Sequence, residues 1–295
     1  MNTAIAPTPP CTLGDDELQA AARALGASGG GTGAARLLSL LYDPDVDVDP
    51  ILSCLNGEPA LAGRVLKVAN SPYYRLSGSV GTLERAVQLL GLKAIRSIAA
   101  AGCLDRLTPP RTGTAFDPER FRRHSLAVAS AAQRLSQLAG LGIDGEAFMA
   151  GLLHDIGILL LVKAAPAAMA SFVPAVTDDA ASALAVERAH FGVTHQECAI
   201  VLARAWQLPD WLSAAVAQHH DPALMAAAAG GVDALPAVVA AANHAAHLAG
   251  LGLWPICALP PSPGLLLGLG LSAEMLQDTA QSLPGAQAAL APAGA

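Results

Sequence analysis

A histidine–aspartate pair, His154-Asp155, interrupts the otherwise apolar stretch Phe148–Leu160 (FMAGLLHDIGILL). A buried carboxylate without a partner is energetically costly, or it loses its charge by binding a proton. Asp155 therefore needs polar partners, and several histidines elsewhere in the chain could supply them: His124, His195, His219 and His220. The sequence predicts that His124, His154 and Asp155 converge in one pocket with at least one of the three later histidines.

Two kinds of chemistry would suit such a cluster. Imidazole and carboxylate ligands favour Fe, Mn, Zn or Ni over Ca or Mg, so these residues could hold a divalent transition metal ion. They could equally form a metal-free network of hydrogen bonds, because no spacing among them is diagnostic of a metal site. Three further histidines, His190, His244 and His247, are interpreted as ordinary core residues.

The composition indicates what kind of fold positions these residues. The chain has 295 residues, of which 53 % are hydrophobic, 14 % charged and 4 % aromatic. Alternation typical of strands is scarce, and apolar residues recur at helical spacing, so we predict an all-α protein. The net charge of −7 disfavours nucleic acid as the main partner, because binding phosphates requires a basic surface.

Breaks in the apolar pattern divide the chain into four parts. Residues 1–33 are interpreted as a flexible leader with a short helix, and residues 34–110 as an N-terminal helical lobe. The loop Leu107–Thr114 leads into a second helical lobe, residues 111–250. Residues 251–295 are interpreted as a C-terminal helix followed by a mobile tail.

Capping and linker signals refine this division. Thr82 and Asp117 are predicted N-caps, and Pro118 suits the first position of the helix that follows Asp117. The low-complexity stretch Ala223–Gly231 is predicted to be a linker. Pro236–Ala249 is predicted to be the last core helix.

A second group of candidate functional residues lies at a predicted turn of the N-terminal lobe. The segment ANSPYYR must leave the helical conformation there, because the residue before a proline avoids it. Its polar and aromatic side chains are interpreted as a partner-binding surface: Asn70, Ser71, Tyr73, Tyr74 and Arg75. Amphipathic aromatic residues are enriched at binding hot spots, although these tyrosines could instead pack between the two lobes.

Both stretches resemble one protein family. GLLHDIG, with RHS upstream and HH downstream, resembles the HD superfamily of helical metal-dependent phosphohydrolases. LKVANSPYY followed by LERAVQLLGLKAI resembles the additional N-terminal lobe of its HDOD branch (HD-related output domain). The resemblance covers roughly residues 34–250. It implies a two-lobe helical bundle with an HD-like C-terminal lobe, acting as a bacterial signalling module that binds protein partners and has lost the hydrolase activity.

The chain departs from active HD hydrolases at two positions. His124, His154 and Asp155 match the first histidine and the doublet, but Asn243 stands near the place of the later aspartate. Ile158 stands where the cyclic-dinucleotide branch has a phosphate-binding lysine, and no Gly-Tyr-Pro motif follows. Loss of one electrostatic group can slow such a reaction by about 10²–10³-fold. The resemblance thus favours a degenerate site; the alternative is a metal-dependent phosphodiesterase acting on a nucleotide or cyclic dinucleotide.

Cysteine usage and the N-terminus bear on the location of the protein. The five cysteines are scattered and form no CxxC motif, as expected of reduced thiols in a cytoplasmic protein. The N-terminus lacks the pattern of a secretory signal, and no uninterrupted apolar stretch reaches about 18 residues, so we expect no membrane insertion. No sensor or receiver domain is visible. The input is therefore expected from another signalling protein or from a small ligand such as a nucleotide.

Overall fold

The computed structural model describes residues 11–27, 33–43, 45–71, 79–111, 115–176, 183–227, 233–254 and 259–290. All regular secondary structure within these ranges is helical, which confirms the predicted all-α class. The helices of the first half are α1 Asp15–Ala27, α2 Gly33–Tyr42, α3 Val48–Asn56, α4 Pro59–Ala69, α5 Leu83–Leu107, α6 Pro118–Ala139, α7 Asp144–Leu153 and α8 Ile156–Ala164. Those of the second half are α9 Pro166–Ala175, α10 Ala183–Phe191, α11 His195–Ala205, α12 Asp210–Gln218, α13 Pro222–Met225, α14 Ala234–Leu248, α15 Pro263–Gly268 and α16 Ala273–Leu290.

Helices α2, α3 and α4 pack against the long helix α5. The buried residues of α4 are Leu61, Val65 and Ala69, which recur every fourth residue and therefore lie on one face. Leu66 and Val68 are only half-buried because they flank this stripe. The helix ends at Ala69, as the following Asn-Ser-Pro predicts.

Two residues set the course of α5. Thr82 starts the helix as predicted, because its hydroxyl oxygen accepts a hydrogen bond from Arg85 N at 3.2 Å. Gly91 interrupts it with a φ of 78°, a left-handed conformation that glycine adopts without the steric cost of a Cβ. Helix α5 also packs against α7, so it connects the two halves of the bundle.

Helix α6 lies at the centre of the second half, in contact with α7, α14 and α16. Asp117 caps it as predicted, accepting hydrogen bonds from the amides of Glu119 and Arg120 at 3.0 and 3.1 Å. Pro118 occupies the first helical position, and Gly140 closes the helix in the left-handed conformation. These signals fix the ends of the helix that carries His124.

Helices α8 and α11 approach each other unusually closely at Gly157. A Cβ on this residue would lie 1.8 Å from the backbone oxygen of His195 and 2.7 Å from the backbone nitrogen of Ala199. Only a residue without a side chain permits this approach. His195 begins α11, and Gly157 follows the His154-Asp155 pair. The contact therefore fixes the position of His195 relative to that pair.

Helix α1 is the short helix predicted within the leader, and it packs against the bundle. This helix packs on α8 and α11 and buries Leu18, Ala22 and Leu25. Just before it, Cys11 N donates a hydrogen bond to His190 O at 2.8 Å. The apolar stripe of α1 finds a docking face on distant helices, a relationship that local sequence does not reveal.

The C-terminal part differs from the prediction. Pro222–Met225 forms the short helix α13, which overlaps the start of the expected linker Ala223–Gly231. Residues 228–231 of that linker lie outside the described residues. Helix α14 is not the last core helix, because α16 packs on α6 and α14 and buries Leu276, Ala280 and Leu283. The end of the expected mobile tail, residues 291–295, lies outside the described residues.

Two helical stretches of the described chain are long and apolar enough to cross a membrane, Leu83–Leu107 and Asp144–Ala164. The second stretch, which joins α7 and α8, is 89 % buried within the bundle. The first is bent at Gly91 and buries one face against the surrounding helices. Burial in the core accounts for the apolar character of the second stretch, whereas 44 % of the first is buried.

Candidate metal centre

The His154-Asp155 pair occupies a break between two buried helices. α7 ends at Leu153 and α8 begins at Ile156, so neither residue lies inside a continuous helix. Both helices are almost entirely buried, which explains why the surrounding sequence is apolar on all sides. The break allows adjacent side chains to point towards one site, whereas neighbours inside a helix diverge by about 100°.

Asp155 lies at the middle of the histidine cluster and is 5 % exposed. Its Oδ2 atom is 3.4 Å from His124 Nε2 and 3.3 Å from His154 Nε2. Its Oδ1 atom is 3.4 Å from both His195 Nε2 and His219 Nε2. The Nε2 atoms also face each other, at 3.2 Å between His124 and His154 and 3.3 Å between His195 and His219. The predicted convergence is therefore observed.

Two of these histidines are oriented by the helix that each one follows. His154 comes directly after α7, and its Nδ1 donates to Gly151 O at 2.8 Å. His219 comes directly after α12, and its Nδ1 donates to Val216 O at 2.8 Å. Each side chain thus satisfies a carbonyl that its helix end leaves without an intrahelical partner. The same local arrangement turns both Nε2 atoms towards Asp155.

The other two histidines are oriented by contacts between distant segments. His124 Nδ1 donates to Leu251 O at 2.9 Å. His195 Nδ1 donates to the carboxylate of Glu187 at 2.9 Å, and the same carboxylate accepts the backbone amide of His195 at 2.8 Å. Because each Nδ1 holds a proton in its hydrogen bond, a neutral ring presents only the lone pair of Nε2 to the site.

Burial and mutual proximity set the charges of the cluster. Burial lowers the pKa of His124, and it lowers the pKa of His219 to about 4. Burial alone would raise the pKa of Asp155, but the surrounding imidazoles hold it well below its usual value. Burial also opposes the charged form of His195, yet Glu187 and Asp155 raise its pKa to about 9. At neutral pH the site therefore combines an ionised Asp155 with neutral His124 and His219 and a cationic His195.

The chemistry of these donors fits a metal ion. Asp155 Oδ1 is buried and has no hydrogen-bond partner among the described residues. The neutral ring of His219, with its proton on Nδ1, cannot donate to this oxygen. A metal ion that displaced the proton of His195 could bind the oxygen together with the facing Nε2 lone pairs. The ligand atoms form two groups within 4.8 Å that share Asp155: His124, His154 and Asp155, and Asp155, His195, His219 and His220.

His220 completes the second group from its outer side. It is half-buried, and its ring centroid lies 4.2 Å from that of His219 and 5.2 Å from that of His195. Burial and the neighbouring imidazoles lower the pKa of His220 well below its usual value. It is the most exposed member of the cluster, so it marks the side nearest to solvent.

Two residues in contact with the cluster, Glu187 and His247, were not assigned to it from sequence. Glu187 is fully buried and orients His195, but its position eight residues earlier carries no local signal. Asn243 is buried, and its Oδ1 has no hydrogen-bond partner within the described structure. His247 follows one helical turn later, with its ring 5.6 Å from that of His124. The spacing of four between Asn243 and His247 would have placed both on one face of α14.

The second predicted group, at the turn after α4, is only partly described. Asn70 uses its side chain within the fold: Nδ2 donates to Leu66 O and Val80 O at 2.7 and 2.9 Å, and Oδ1 accepts from Val80 N at 2.7 Å. Ser71 follows as a half-buried residue. Tyr73, Tyr74 and Arg75 lie outside the described residues. Their assignment to partner binding stays a prediction.

Known proteins share both the sequence pattern and the fold. The family model for the HDOD domain matches residues 32–222. An uncharacterised protein of Treponema pallidum (strain Nichols) is 24 % identical over 185 residues, which is 61 % of this chain. The match spans 35 % of that relative's length.

Solved structures resemble the chain over nearly its whole length. An HDOD domain protein of unknown function from Geobacter sulfurreducens has a TM-score of 0.66 at 24 % identity, covering 94 % of this chain and 97 % of that one. A candidate phosphohydrolase from Shewanella amazonensis SB2B has a TM-score of 0.67 at 25 % identity, covering 93 % and 96 %. A candidate signal transduction protein from Marinobacter aquaeolei VT8 has a TM-score of 0.71 at 20 % identity, covering 93 % and 63 %. Together with the family match, these similarities show that the chain belongs to the HDOD domain family.

Proposed function

We propose that this chain is a regulatory HDOD protein whose histidine–aspartate cluster holds a divalent transition metal ion without catalysing hydrolysis, and that it signals by binding protein partners. The observation that carries the metal assignment is the set of four Nε2 atoms facing the two oxygens of Asp155 at 3.3–3.4 Å. Because each Nδ1 is held in a hydrogen bond, each Nε2 is the ring nitrogen available to a metal ion. Metal binding at His195 would displace the proton from its Nε2, since a ligating imidazole must be neutral. Iron, manganese, zinc and nickel all suit this donor set.

Three features support a site without catalysis. His124, His154, His195 and His219 are each at most 2 % exposed, and closed metal sites are typically structural, whereas catalytic ones keep a position open to substrate. Asn243 contributes no charge near the place of the later aspartate. Ile158 is 1 % exposed within the core, so this position offers no cation to a substrate phosphate.

The regulatory role is supported by the family to which the chain belongs and by the fold that it shares with a signal transduction candidate. The fold of the Marinobacter aquaeolei signal transduction candidate is shared across nearly the whole molecule. Partner binding is assigned to the turn after α4, with Tyr73, Tyr74 and Arg75 as its contact residues. A metal ion would then stabilise the second half of the bundle while the first half carries the contact surface.

The second candidate function is a metal-dependent phosphohydrolase acting on a nucleotide or cyclic dinucleotide. It is favoured by the two ligand groups that share Asp155 and by similarity to the Shewanella amazonensis phosphohydrolase candidate. When bound, metal ions would supply Lewis-acid chemistry to a phosphate ester. The histidines and Asp155 would hold those ions. A substrate would approach from the side of the half-buried His220.

One set of measurements separates these functions. Chelator-treated protein is titrated with Zn²⁺, Mn²⁺, Fe²⁺ and Ni²⁺, bound metal is quantified, and hydrolysis of bis-p-nitrophenyl phosphate and cyclic dinucleotides is followed. We expect metal uptake and a raised melting temperature, since a ligand that binds only the folded state stabilises it. Hydrolysis should stay at background. His154→Ala should lose the metal, whereas His190→Ala should retain it, because His190 bonds to Val186 O away from the cluster.

Two results would contradict the proposal. Failure of every metal to bind the chelator-treated protein would refute the metal centre. The cluster would then be a metal-free network of hydrogen bonds. Metal-dependent hydrolysis that disappears in His154→Ala and persists in His190→Ala would establish the phosphohydrolase instead.

A further inference from the structure

A cavity of about 240 Å³ opens between α5, α7 and α12, separate from the histidine cluster. Its walls combine cationic, hydroxyl, carboxylate and apolar side chains: Lys93, Arg96, Ser97, Glu146, Met149 and Trp211. None of these belongs to the candidate metal centre. The mixture of a few polar groups with apolar surface is typical of sites for small organic ligands.

The α5 wall of this cavity is basic. Lys93, Arg96 and Ser97 lie three and four residues apart, so they share one face of the helix. Arg96 donates from Nη2 to Val46 O at 3.1 Å, which anchors its guanidinium group. Its Nε is buried and has no hydrogen-bond partner in the described part of the chain. A buried donor without an acceptor is costly, so the site favours an anion that can accept from it.

The described residues supply no ion pair to either basic side chain, although Glu146 lines the same cavity. The first turn of α7 adds further donors, since its N-cap residue, Ile143, makes no side-chain capping bond. Backbone amides at such a helix start attract phosphate groups. The same turn carries the carboxylates of Asp144 and Glu146, so Lys93 and Arg96 are the main attraction for an anion in this cavity.

The opposite wall is apolar and flat. The indole of Trp211 is half-buried and Met149 is buried, so both present apolar surface to the cavity. Aromatic side chains bind nucleobases by stacking, because every base has a flat π-face. The carboxylate of Glu146 can accept a hydrogen bond from an exocyclic amino group of a base.

We infer that this cavity binds a nucleoside monophosphate, with its phosphate on Lys93 and Arg96 and its base against Trp211. The inference does not depend on the metal centre. It assigns a place to the nucleotide that the sequence allowed as a ligand. A nucleotide there would contact α5 from the first half of the bundle and α7 and α12 from the second half.

The position of the cavity has a consequence for regulation. α7 leads from Glu146 to Leu153, directly before His154, and α12 leads from Trp211 to Gln218, directly before His219. At about 1.5 Å per residue, each helix carries any shift at the cavity over roughly 12 Å to a histidine of the cluster. Nucleotide and metal would then affect each other's affinity, and such coupling is reciprocal.

The inference is tested by calorimetric titration of the full chain with AMP and GMP, compared with inorganic phosphate and with adenosine. We expect saturable binding of a nucleotide, with phosphate alone and adenosine alone each about tenfold weaker or more, because each occupies one wall. Lys93→Gln should weaken nucleotide binding by about tenfold, the usual effect of removing a charged hydrogen-bond partner. Arg85→Gln is the matched control, an exposed arginine on α5 that bonds to Gln88, and should change affinity less than about twofold.

A second measurement uses the indole directly. Nucleotide stacking should quench tryptophan fluorescence, and Trp211→Phe should abolish the quenching while the melting curve stays cooperative. Absence of saturable binding by both nucleotides would overturn the inference, as would unchanged affinity in Lys93→Gln. Equal affinity for inorganic phosphate and for nucleotides would reduce the cavity to a simple anion site and likewise overturn it.

Discussion

The buried carboxylate of Glu187 accepts two hydrogen bonds from His195, one from Nδ1 at 2.9 Å and one from the backbone amide at 2.8 Å. Nε2 of the same ring lies 3.4 Å from Asp155 Oδ1. Glu187 therefore fixes both the start of α11 and the direction of the imidazole without touching the site itself. A carboxylate behind a metal-binding histidine also raises the basicity of that ligand.

Replacing Glu187 by glutamine tests this arrangement. An amide lacks the charge that increases the basicity of His195, so Glu187→Gln should weaken metal affinity by about 10–100-fold. The affinity is measured by competition with a chelator of known strength. Glu84→Gln, at an exposed position in the first turn of α5, is the control and should bind metal like the wild type. If Glu187→Gln binds metal as tightly as Glu84→Gln does, Glu187 contributes to the fold and not to metal binding.

Asp155 should stabilise the metal-free protein as well. Asp155→Ala removes the carboxylate that faces the cationic His195 at 3.4 Å, so in the presence of chelator the free energy of unfolding should fall by about 1–3 kcal/mol. His154→Ala should act similarly. The double variant should lose less than the sum, because both residues belong to one network. Denaturant unfolding measures all three, and additive losses or a wild-type melt of Asp155→Ala would contradict the network.

A methyl group at Gly157 should separate α8 from α11. Its Cβ would meet backbone atoms of His195 and Ala199 at 1.8 and 2.7 Å, and backbone cannot move aside as a side chain can. Gly157→Ala should therefore cost about 3 kcal/mol or more. Gly63→Ala, within α4 and with nothing within 4 Å of its Cβ, should instead gain about 0.5–1 kcal/mol. Thermal and denaturant melts of the two variants should thus shift in opposite directions.

The N-cap of α6 gives a prediction with a defined pH dependence. Asp117→Ala should lower stability at neutral pH by about 0.5–2 kcal/mol. Hydrogen bonds from the backbone of Arg120 and Glu119 lower the pKa of Asp117 in the folded state. Its contribution is therefore complete above the ordinary value of about 3.9 and is lost as the pH falls through the lower folded-state pKa. The stability difference between wild type and variant should accordingly shrink below about pH 4, as urea unfolding at several pH values will show.

Variants at the turn after α4 distinguish a residue that stabilises the fold from residues that bind a partner. Asn70→Ala should cost about 1–3 kcal/mol, because three hydrogen bonds join its amide to Leu66 and Val80. Tyr74→Ala and Arg75→Glu should leave the melt within about 0.5 kcal/mol of wild type while abolishing capture of the signalling partner. Unfolding of Tyr74→Ala would make that residue part of the core. If His154 variants fold but no longer capture the partner, the histidine cluster is the partner-binding surface and the turn after α4 is not.

The sequence by itself determined the features that depend on neighbours along the chain. Thr82 and Asp117 marked helix starts because a cap bonds to amides two or three residues away. The all-α class followed from composition and helical spacing. The apolar surroundings of His154-Asp155 showed that a carboxylate would be buried there, and burial without partners would be too costly. This was enough to name the histidines that meet Asp155, and the resemblance in motifs was enough to name the family.

Only the tertiary structure decided how these residues face one another. Glu187 reaches His195, and Leu251 O reaches His124, across loops whose geometry no local pattern encodes. The docking of α1 on α8 and α11 and the packing of α16 on α6 likewise depend on matching surfaces from distant segments. Hydrophobic burial is non-directional, so an apolar stripe predicts that a helix will pack but not what it will pack against. The directions of the imidazoles, and with them the case for a metal ion, exist only once those helices have met.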